Sequence, residues 1–470
     1  MDLYKRIAFF FGPAMFLFLL LFDFGLEQLV AKVLAVAAWM VIWWVFEVLP
    51  IYITAMLPMV FFPALGVMDI KSTFLPYGSP IVFLFLGGFL IALAMEEHKL
   101  HHRLAFGLIK LTGSKPRGII LGFMIATASV AMWISNTATT VMMLPIGLSV
   151  IHLMKEQQLD QKFLRRFSLL LMLGIAYAAN IGGTMTLIGT PPNLVFAGYY
   201  FAEFGQDFGF GRWLMIGIPT GVALIISGYY LLVKWVYPIA NKPLDGVAEM
   251  FDEKWRALGK MNKSERLVMV VFTLTVIAWV SLEWLNAWIG MKVFNNTNIA
   301  MGGGLLMFLV PVNLGKGEFL LHWESTKRLP WGILILFGGG LCLASALEAA
   351  GLIDTIAHWV NDHVSSNAFM ICLGLTLLSI FLTELMSNVA LVTVLLPVVF
   401  ALATQMNIDP IYLTIPVTLA ASCAFMMPIS TPPNAIVYSS GYITVGQMMR
   451  AGIWMNLLAT IIILGLCTLI

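Results

Sequence analysis

Apolar residues fall in blocks of membrane-span length along the whole chain, and a helix needs about 20 of them to cross the hydrocarbon core. The pattern predicts eleven crossings, at 7–22, 29–46, 48–66, 79–96, 168–200, 213–236, 267–288, 299–313, 331–347, 411–441 and 451–470. Two further blocks, 118–152 and 367–403, are each interrupted midway by a polar Ser-Asn pair. The block at 7–22 has the length of a signal peptide. No A-x-A-like cleavage site follows it, and Asp23-Phe24-Gly25 leads into more apolar sequence, so it reads as a retained first span.

Lys and Arg set the orientation, because cytoplasmic loops near span ends carry the excess of both. The first interrupted block is preceded by Lys99, Arg103, Lys110, Lys115 and Arg117 and followed by Lys155, Lys162, Arg165 and Arg166, so both flanks read as cytoplasmic. The second is flanked by Asp354, Asp362 and Asp409, with no Lys or Arg from Leu329 to Met449, so both flanks read as external. A block whose ends share one side and whose middle is polar reads as a re-entrant helical hairpin. The N-terminus is then cytoplasmic and the C-terminus external.

Of the 470 residues, 60% are hydrophobic and 11% charged, against about 45–50% and about 25% in a soluble domain. The chain therefore lives in a bilayer, and the multi-pass pattern predicts the inner (plasma) membrane. A net charge of +2 gives no sign of a nucleic-acid partner. Cys342, Cys372, Cys423 and Cys467 lie far apart in apolar runs, which fits small core residues and neither a disulfide framework nor a transition-metal site.

An offset of 252 residues carries Ala92 onto Ala344, Glu96 onto Glu348, Ser135 onto Ser387, Asn136 onto Asn388 and Pro145 onto Pro397. After a shortening of the second copy by 11, Gly189-Thr190-Pro191-Pro192-Asn193 pairs with Ser430-Thr431-Pro432-Pro433-Asn434. Basic flanks in one copy and acidic flanks in the other predict inverted-topology repeats, the plan of a secondary transporter. The expected fold class is an all-α polytopic membrane protein with eleven transmembrane helices and two re-entrant hairpins. Its expected parts are N-terminal helices over 1–75 and a first repeat over 76–212. Second-half helices over 213–328, with a cytoplasmic loop at 239–266, then precede an inverted repeat over 329–450 and a terminal helix over 451–470.

Each repeat carries two polar breaks. Paired prolines remove helix hydrogen bonds and force unwinding, and backbone freed at membrane depth must be buried in protein or line a polar cavity. Carbonyl, hydroxyl and Asn amide oxygens suit an alkali cation. The half-helices expected to start at Ala138, Pro191, Ala390 and Pro432 offer free N–H donors to a carboxylate or sulfate. No Lys or Arg lies in any break, so an anion must be balanced by bound cations, which argues for two or more alkali cations with a dianion.

The motifs SNTATTVMMLP, ELMSNVALVTVLLP, GTPPN and STPPN together resemble the divalent anion/sodium symporter family, which includes INDY-type dicarboxylate transporters. The resemblance covers the chain from about Val33 onward. It implies a homodimer with a scaffold and a moving transport domain, working as an elevator that couples inward sodium flow to anion uptake. It places sodium at Ser135, Asn136 and Gly189 and at Thr383, Asn388 and Ser430. Substrate carboxylates fall to Ser135, Asn136, Thr137, Thr190, Ser387, Asn388 and Thr431. Val389 stands where many members have a threonine, which removes one hydroxyl from the second tip.

Glu384, three residues before Ser387, is offered as a group that tunes the second cation site, although its offset partner is Met132. Glu47 is expected in a loop, and Glu96 and Glu348 at span ends. His98, His101 and His102 are expected on a solvated interfacial helix. The segments 100–112 and 352–364 read as amphipathic helices lying flat. Trp39, Trp213, Trp284 and Trp331 are expected in interfacial belts.

The expected function is sodium-coupled import of C4 dicarboxylates such as succinate, fumarate and malate, with sulfate, citrate or exchange as alternatives in the same family. An intramembrane hydrolase has little to stand on: His152 is the only histidine in the interrupted blocks, at an end, and no intramembrane aspartates pair. A channel remains as a different class.

Overall fold

The computed structural model describes residues 3–22, 25–156, 160–241, 246–352 and 367–467. It is nearly all helical; among the described residues the strands are a short antiparallel ribbon of Pro311–Asn313 and Glu318–Phe319. Nine described helical stretches are long and apolar enough to cross a membrane, ten if one bent pair counts as a single span. Proline at the first turn opens several of them, as at Pro80, Pro116, Pro191, Pro410 and Pro432, where its missing N–H has no helical partner to lose. Elsewhere a side chain caps the free amides: Asp160 accepts from Phe163, Asn367 from Phe369 and Met370, and Asn262 closes a reciprocal box with Glu265.

Gln161–Thr184 is the centre of the molecule, about 36 Å long, with its apolar stretch wholly buried. Pro116–Ala131 runs beside it in the same direction. Met124 lies against Gly174, Ala128 against Gly182, and Met132 accepts a hydrogen bond from Thr186. The chain then breaks at 132–135 and returns as Asn136–Glu156, which also packs on the central helix. Four residues from Glu156 to Asp160 reach at most about 14 Å, so both arms begin and end near the same end of that helix.

The second copy repeats the arrangement on Pro410–Ala421. Cys372 Sγ donates to Tyr412 O at 3.4 Å, Ser379 Oγ to Val417 O at 2.9 Å, and Thr383 Oγ1 approaches Ala421 O. Ala368–Leu382 therefore runs parallel to Pro410–Ala421, and Asn388–Gln405 returns. The second half of each broken helix packs on the other copy's returning arm: Pro191–Phe204 on Asn388–Gln405, and Pro432–Ser439 on Asn136–Glu156.

Two long helices flank this core at matched positions. Gly87 of Pro80–Glu97 lies so close to the Ala300 backbone that a Cβ would strike it, and Gly339 of Trp331–Ala349 lies equally close to the Ala55 carbonyl. Small residues are what let such backbones meet. The N-terminal helices Leu3–Leu21, Gln28–Val45 and Leu57–Ala64 pack together, and the last two also pack on Trp331–Ala349.

Several expected elements differ. The block at 48–66 is two short helices, Ile51–Thr54 and Leu57–Ala64, broken where Pro58 cannot continue the hydrogen-bond ladder. The block at 267–288 bends by 73° after Val280, where the Ser281 hydroxyl bonds back to Ile277 O and Leu282–Ile289 turns away. The block at 299–313 ends as a helix at Leu309 and passes into the ribbon. The half-helices of the two hairpins start at Asn136 and Asn388, two residues before the expected Ala138 and Ala390, because Ser135 and Ser387 sit at the cap positions.

Glu47 lies in a loop with a left-handed φ of 44°. The flat helix expected at 100–112 is present as Leu100–Leu111; residues 353–364 of its counterpart lie outside the described residues. That helix is not simply solvated. His101 is buried and bonds Met95 O at 3.0 Å, and His98 bonds Leu320 O at 2.7 Å. Arg103 pairs with Glu265 at 3.1 Å, and Lys110 with Asp252. Trp213 is not in a belt: it is fully buried and donates Nε1 to Thr184 O at 3.0 Å, satisfying a carbonyl at the buried C-terminal end of the central helix. Trp284 and Trp331 are exposed, as a belt requires.

Candidate functional site

The unwound stretch between Thr184 and Pro191 is held open by one side chain. Asn193 Nδ2 donates to Gly183 O at 3.1 Å and to Thr186 O at 2.8 Å. In the second copy Asn434 Nδ2 donates to Ala424 O at 3.1 Å and Met427 O at 3.0 Å. Each asparagine thus binds the carbonyls ten and seven residues upstream. Gly189 N reaches Thr186 O, and Ser430 N reaches Met427 O, each at 3.3 Å. Both asparagines are completely buried, where an unpaired carbonyl would be costly, so the clamps account for backbone that proline has freed from the helices.

The longer break, between Ala421 and Pro432, needs more partners. Glu384 is 3% exposed and supplies most of them. Its Oε1 accepts from Phe425 N at 2.7 Å, Met426 N at 2.9 Å and Asn456 Nδ2 at 2.9 Å. Its Oε2 accepts from Met427 N at 3.1 Å and Ser430 Oγ at 2.6 Å. Five donors on one carboxylate are enough to hold a buried charge without a cationic side chain. Tyr177 donates to Phe425 O at 2.8 Å, and Asn180 Nδ2 to Ala424 O at 3.0 Å and Thr431 Oγ1 at 3.1 Å.

These bonds link the four breaks. Thr186 ties the first hairpin tip, at Met132 O, to the first unwound stretch. Asn180, one turn before the end of the central helix, ties that helix to the second unwound stretch. Ser430, bonded to both the side chain and the backbone of Glu384, ties that stretch to the second tip.

Of the residues expected at the first sodium position, Ser135 is exposed and its Oγ accepts from Ala138 N at 3.2 Å. Asn136 is half-buried and its Oδ1 has no hydrogen-bond partner. That oxygen lies against Gly183, where a Cβ would come within 2.6 Å of it. Gly189 packs against Gly183 O and Met132 O, where a Cβ would come within 2.5 and 3.0 Å. The orphaned Asn136 oxygen and the Gly183 and Met132 carbonyls, which already accept from Asn193 and Thr186, are hard acceptors packed about Gly183 and Gly189.

At the second position Thr383 Oγ1 lies 2.8 Å from Asn388 Oδ1 and also within bonding distance of Ala421 O. A hydroxyl carries one proton, so three oxygens converge there with one hydrogen among them. The hydroxyl of Ser430 is committed to Glu384, which leaves its carbonyl as the atom it offers.

The expected substrate contacts lie at helix starts. Thr190 and Ser387 occupy cap positions without making a side-chain cap, so neither hydroxyl is committed to the first turn. Thr431 caps its helix by accepting from Asn434 N at 3.4 Å. Thr137 is exposed and Val389 half-buried.

Sequence reasoning missed the clamps at Asn193 and Asn434, although both stand inside the repeated motifs. It also missed Asn180, a polar residue after the apolar run of the central helix, and Asn456, which carries no signal at all. Glu384, offered as a group that tunes the second cation site, has its oxygens engaged by three backbone amides, Ser430 Oγ and Asn456 Nδ2.

Comparison with known proteins follows the same lines. Residues 3–469 match the sodium:sulfate symporter transmembrane region. The chain is 38% identical over 464 residues to a sodium-dependent dicarboxylate transporter, SdcS, of Staphylococcus saprophyticus, covering 96% of this chain and 88% of that protein. It is 38% identical over 465 residues to the SdcS of Staphylococcus aureus, with the same coverage. Among solved structures, MtrF of Neisseria gonorrhoeae, from a class of antimetabolite efflux pumps, aligns with a TM-score of 0.57 at 13% identity over 85% of this chain and 82% of that one. The YdaH transporter of Alcanivorax borkumensis aligns with a TM-score of 0.55 at 12% identity over 85% and 86%. At those identities the likeness is one of fold, whereas the family match spans almost the entire sequence. The chain belongs to the sodium:sulfate symporter family, the divalent anion/sodium symporters that its paired Ser-Asn and Thr-Pro-Pro-Asn motifs resemble.

Proposed function

We propose that the protein is a sodium-coupled symporter that imports C4 dicarboxylates such as succinate, fumarate and malate. The observation that carries this reading is the linked set of four breaks, rich in oxygen acceptors and free of Lys and Arg. Sodium enters as a co-substrate. One ion is held by Ser135, Asn136 and Gly189, and a second by Thr383, Asn388 and the Ser430 carbonyl. With the two cations in place, the hydroxyls of Ser135, Thr137, Thr190, Ser387 and Thr431 and the amides of Asn136 and Asn388 bind the two carboxylates at the helix starts. Without them the dianion meets only neutral dipoles and the buried charge of Glu384, and it does not stay. The dicarboxylate named for the two staphylococcal relatives supports the choice of anion.

In this reading the two halves insert with opposite topology, N-terminus inside and C-terminus outside the plasma membrane, with 118–152 and 367–403 as re-entrant hairpins. The eleven crossings of the sequence-based plan belong to the same proposal. The breaks and hairpins form a transport domain, and the helices over 1–75 and 213–328 a scaffold that dimerises. The transport domain moves as an elevator against that scaffold. The parallel packing of each hairpin's first arm on its own broken helix supports the repeat.

A second reading, transport of sulfate or of a tricarboxylate such as citrate, is favoured by the missing hydroxyl at Val389. Labelled succinate uptake into proteoliposomes is expected to need an inward sodium gradient. Uptake unchanged when choline replaces sodium would refute the symport. Competition by sulfate or citrate that exceeds succinate would move the assignment to the second reading.

A further inference from the structure

We propose that the end of the Phe210–Val236 helical stretch carries a binding site for the phosphate group of an acidic phospholipid. A cavity of about 360 Å³ is lined by Arg165, Arg166, Trp235, Tyr237, Gln447 and Arg450 among others, and by no Asp or Glu. Its cations come from two helices far apart in sequence, Gln161–Thr184 and Val445–Cys467, so the fold has gathered them at one place. Among the described residues no carboxylate pairs with any of the three arginines. Arg166 is fixed by donation to Pro238 O at 3.0 Å, and Arg450 lies over the Tyr237 ring at 5.8 Å, while Tyr237 in turn donates to Gln447 O at 2.9 Å.

A second cavity, of about 490 Å³, borders the same stretch with Lys115, Arg117 and Lys234 beside Tyr229 and Tyr230, again with no acid in its lining. Six cations without a carboxylate in either lining stand out in a chain whose charges nearly balance as a whole, 26 basic against 24 acidic. Like charges crowd in this way where an anion is expected between them, and planar guanidinium forks match phosphate oxygens two at a time.

Trp235 decides between a lipid and a soluble anion. It is 77% exposed on the last turn of a membrane-length helix, next to the arginines, so its ring lies where acyl chains and headgroups meet. Basic pockets between membrane helices on the cytoplasmic side are suited to acidic headgroups. An occupant there bridges the central helix, the last helix and the end of Phe210–Val236.

Native mass spectrometry of the full-length, delipidated protein in detergent tests this with added phosphatidylglycerol or phosphatidylcholine. Phosphatidylglycerol is expected to bind in preference. The triple variant R165Q/R166Q/R450Q is expected to lose roughly a hundredfold in its affinity, about fivefold per basic residue, with phosphatidylcholine binding unchanged. The variant R165Q/R450Q keeps the Arg166 bond to Pro238 and should still lose more than tenfold, while K316Q, a distant exposed lysine, should lose nothing. Wild-type affinity in both arginine variants would overturn the site. Displacement of the lipid by glycerol 3-phosphate at equal concentration would assign the cavity to a soluble anion and overturn the lipid.

Discussion

The rings of Phe85 and Phe337 meet in the protein interior with centroids 4.2 Å apart and planes inclined by 31°. They are 252 positions apart in the chain, the same offset that superimposes the two Ser-Asn tips. Residues equivalent under a two-fold operation touch only where the axis passes between them, so this contact supports the paired repeats proposed above. Both rings are almost fully buried. Phe85→Ala and Phe337→Ala should each destabilise the protein by about 3–5 kcal/mol. The double variant should lose less than the sum, because the rings share one contact, and thermal unfolding in detergent reads the difference.

Replacing either tip asparagine should abolish sodium-dependent uptake, but the two should differ in stability. Asn136 Oδ1 has no partner to lose, so Asn136→Ala should unfold at nearly the wild-type temperature. Asn388→Ala strips the bond from Thr383 and should cost about 1 kcal/mol. Normal sodium-dependent uptake by both variants would remove them from the site.

Glu384→Gln keeps the shape and turns one acceptor oxygen into a donor that faces N–H and O–H groups. With five donors arranged around the carboxylate, at least one pairing becomes repulsive and the charge that held the rest is gone. A loss of about 3 kcal/mol or more is expected, read as a lower melting temperature with transport falling in parallel. Wild-type stability would show that the carboxylate is not what holds the second break.

Val389→Thr adds a hydroxyl at the start of the second returning arm. Substrate ranking among succinate, citrate and sulfate should change while the sodium dependence of uptake stays put. An unchanged ranking takes position 389 out of the anion site.

Burial pushes the His101 imidazole down to about 4 from an ordinary 6.5, opposed by the bond to Met95 O and aided by the nearby ring of His102. The unfolded chain therefore binds the proton first as pH falls. The stability that depends on a neutral His101 is present above about 6.5 and is lost progressively down to about 4, by about 3 kcal/mol in all. Melting temperature should drop over this window, and His101→Phe should flatten the drop.

Much of this architecture is written in the chain. Blocks of apolar residues specify helices of membrane length, since a backbone in hydrocarbon has no partner but itself. The offset repeat and the Ser-Asn and Thr-Pro-Pro-Asn pairs locate the breaks to within two residues, because proline and cap chemistry are local. What the folded structure alone decides is which side chains satisfy those breaks. Asn193 and Asn434 could be read as ligands from their motif, yet their amides hold carbonyls upstream. Glu384 reads in the sequence as a group that tunes the second cation site, and only the fold shows that it serves amides 41 to 43 residues further along the chain. Trp213 looked interfacial from its place at a span end, yet it closes the central helix. A hydrogen-bond partner depends on the position of a second segment in space, and no local pattern of hydrophobicity carries that position.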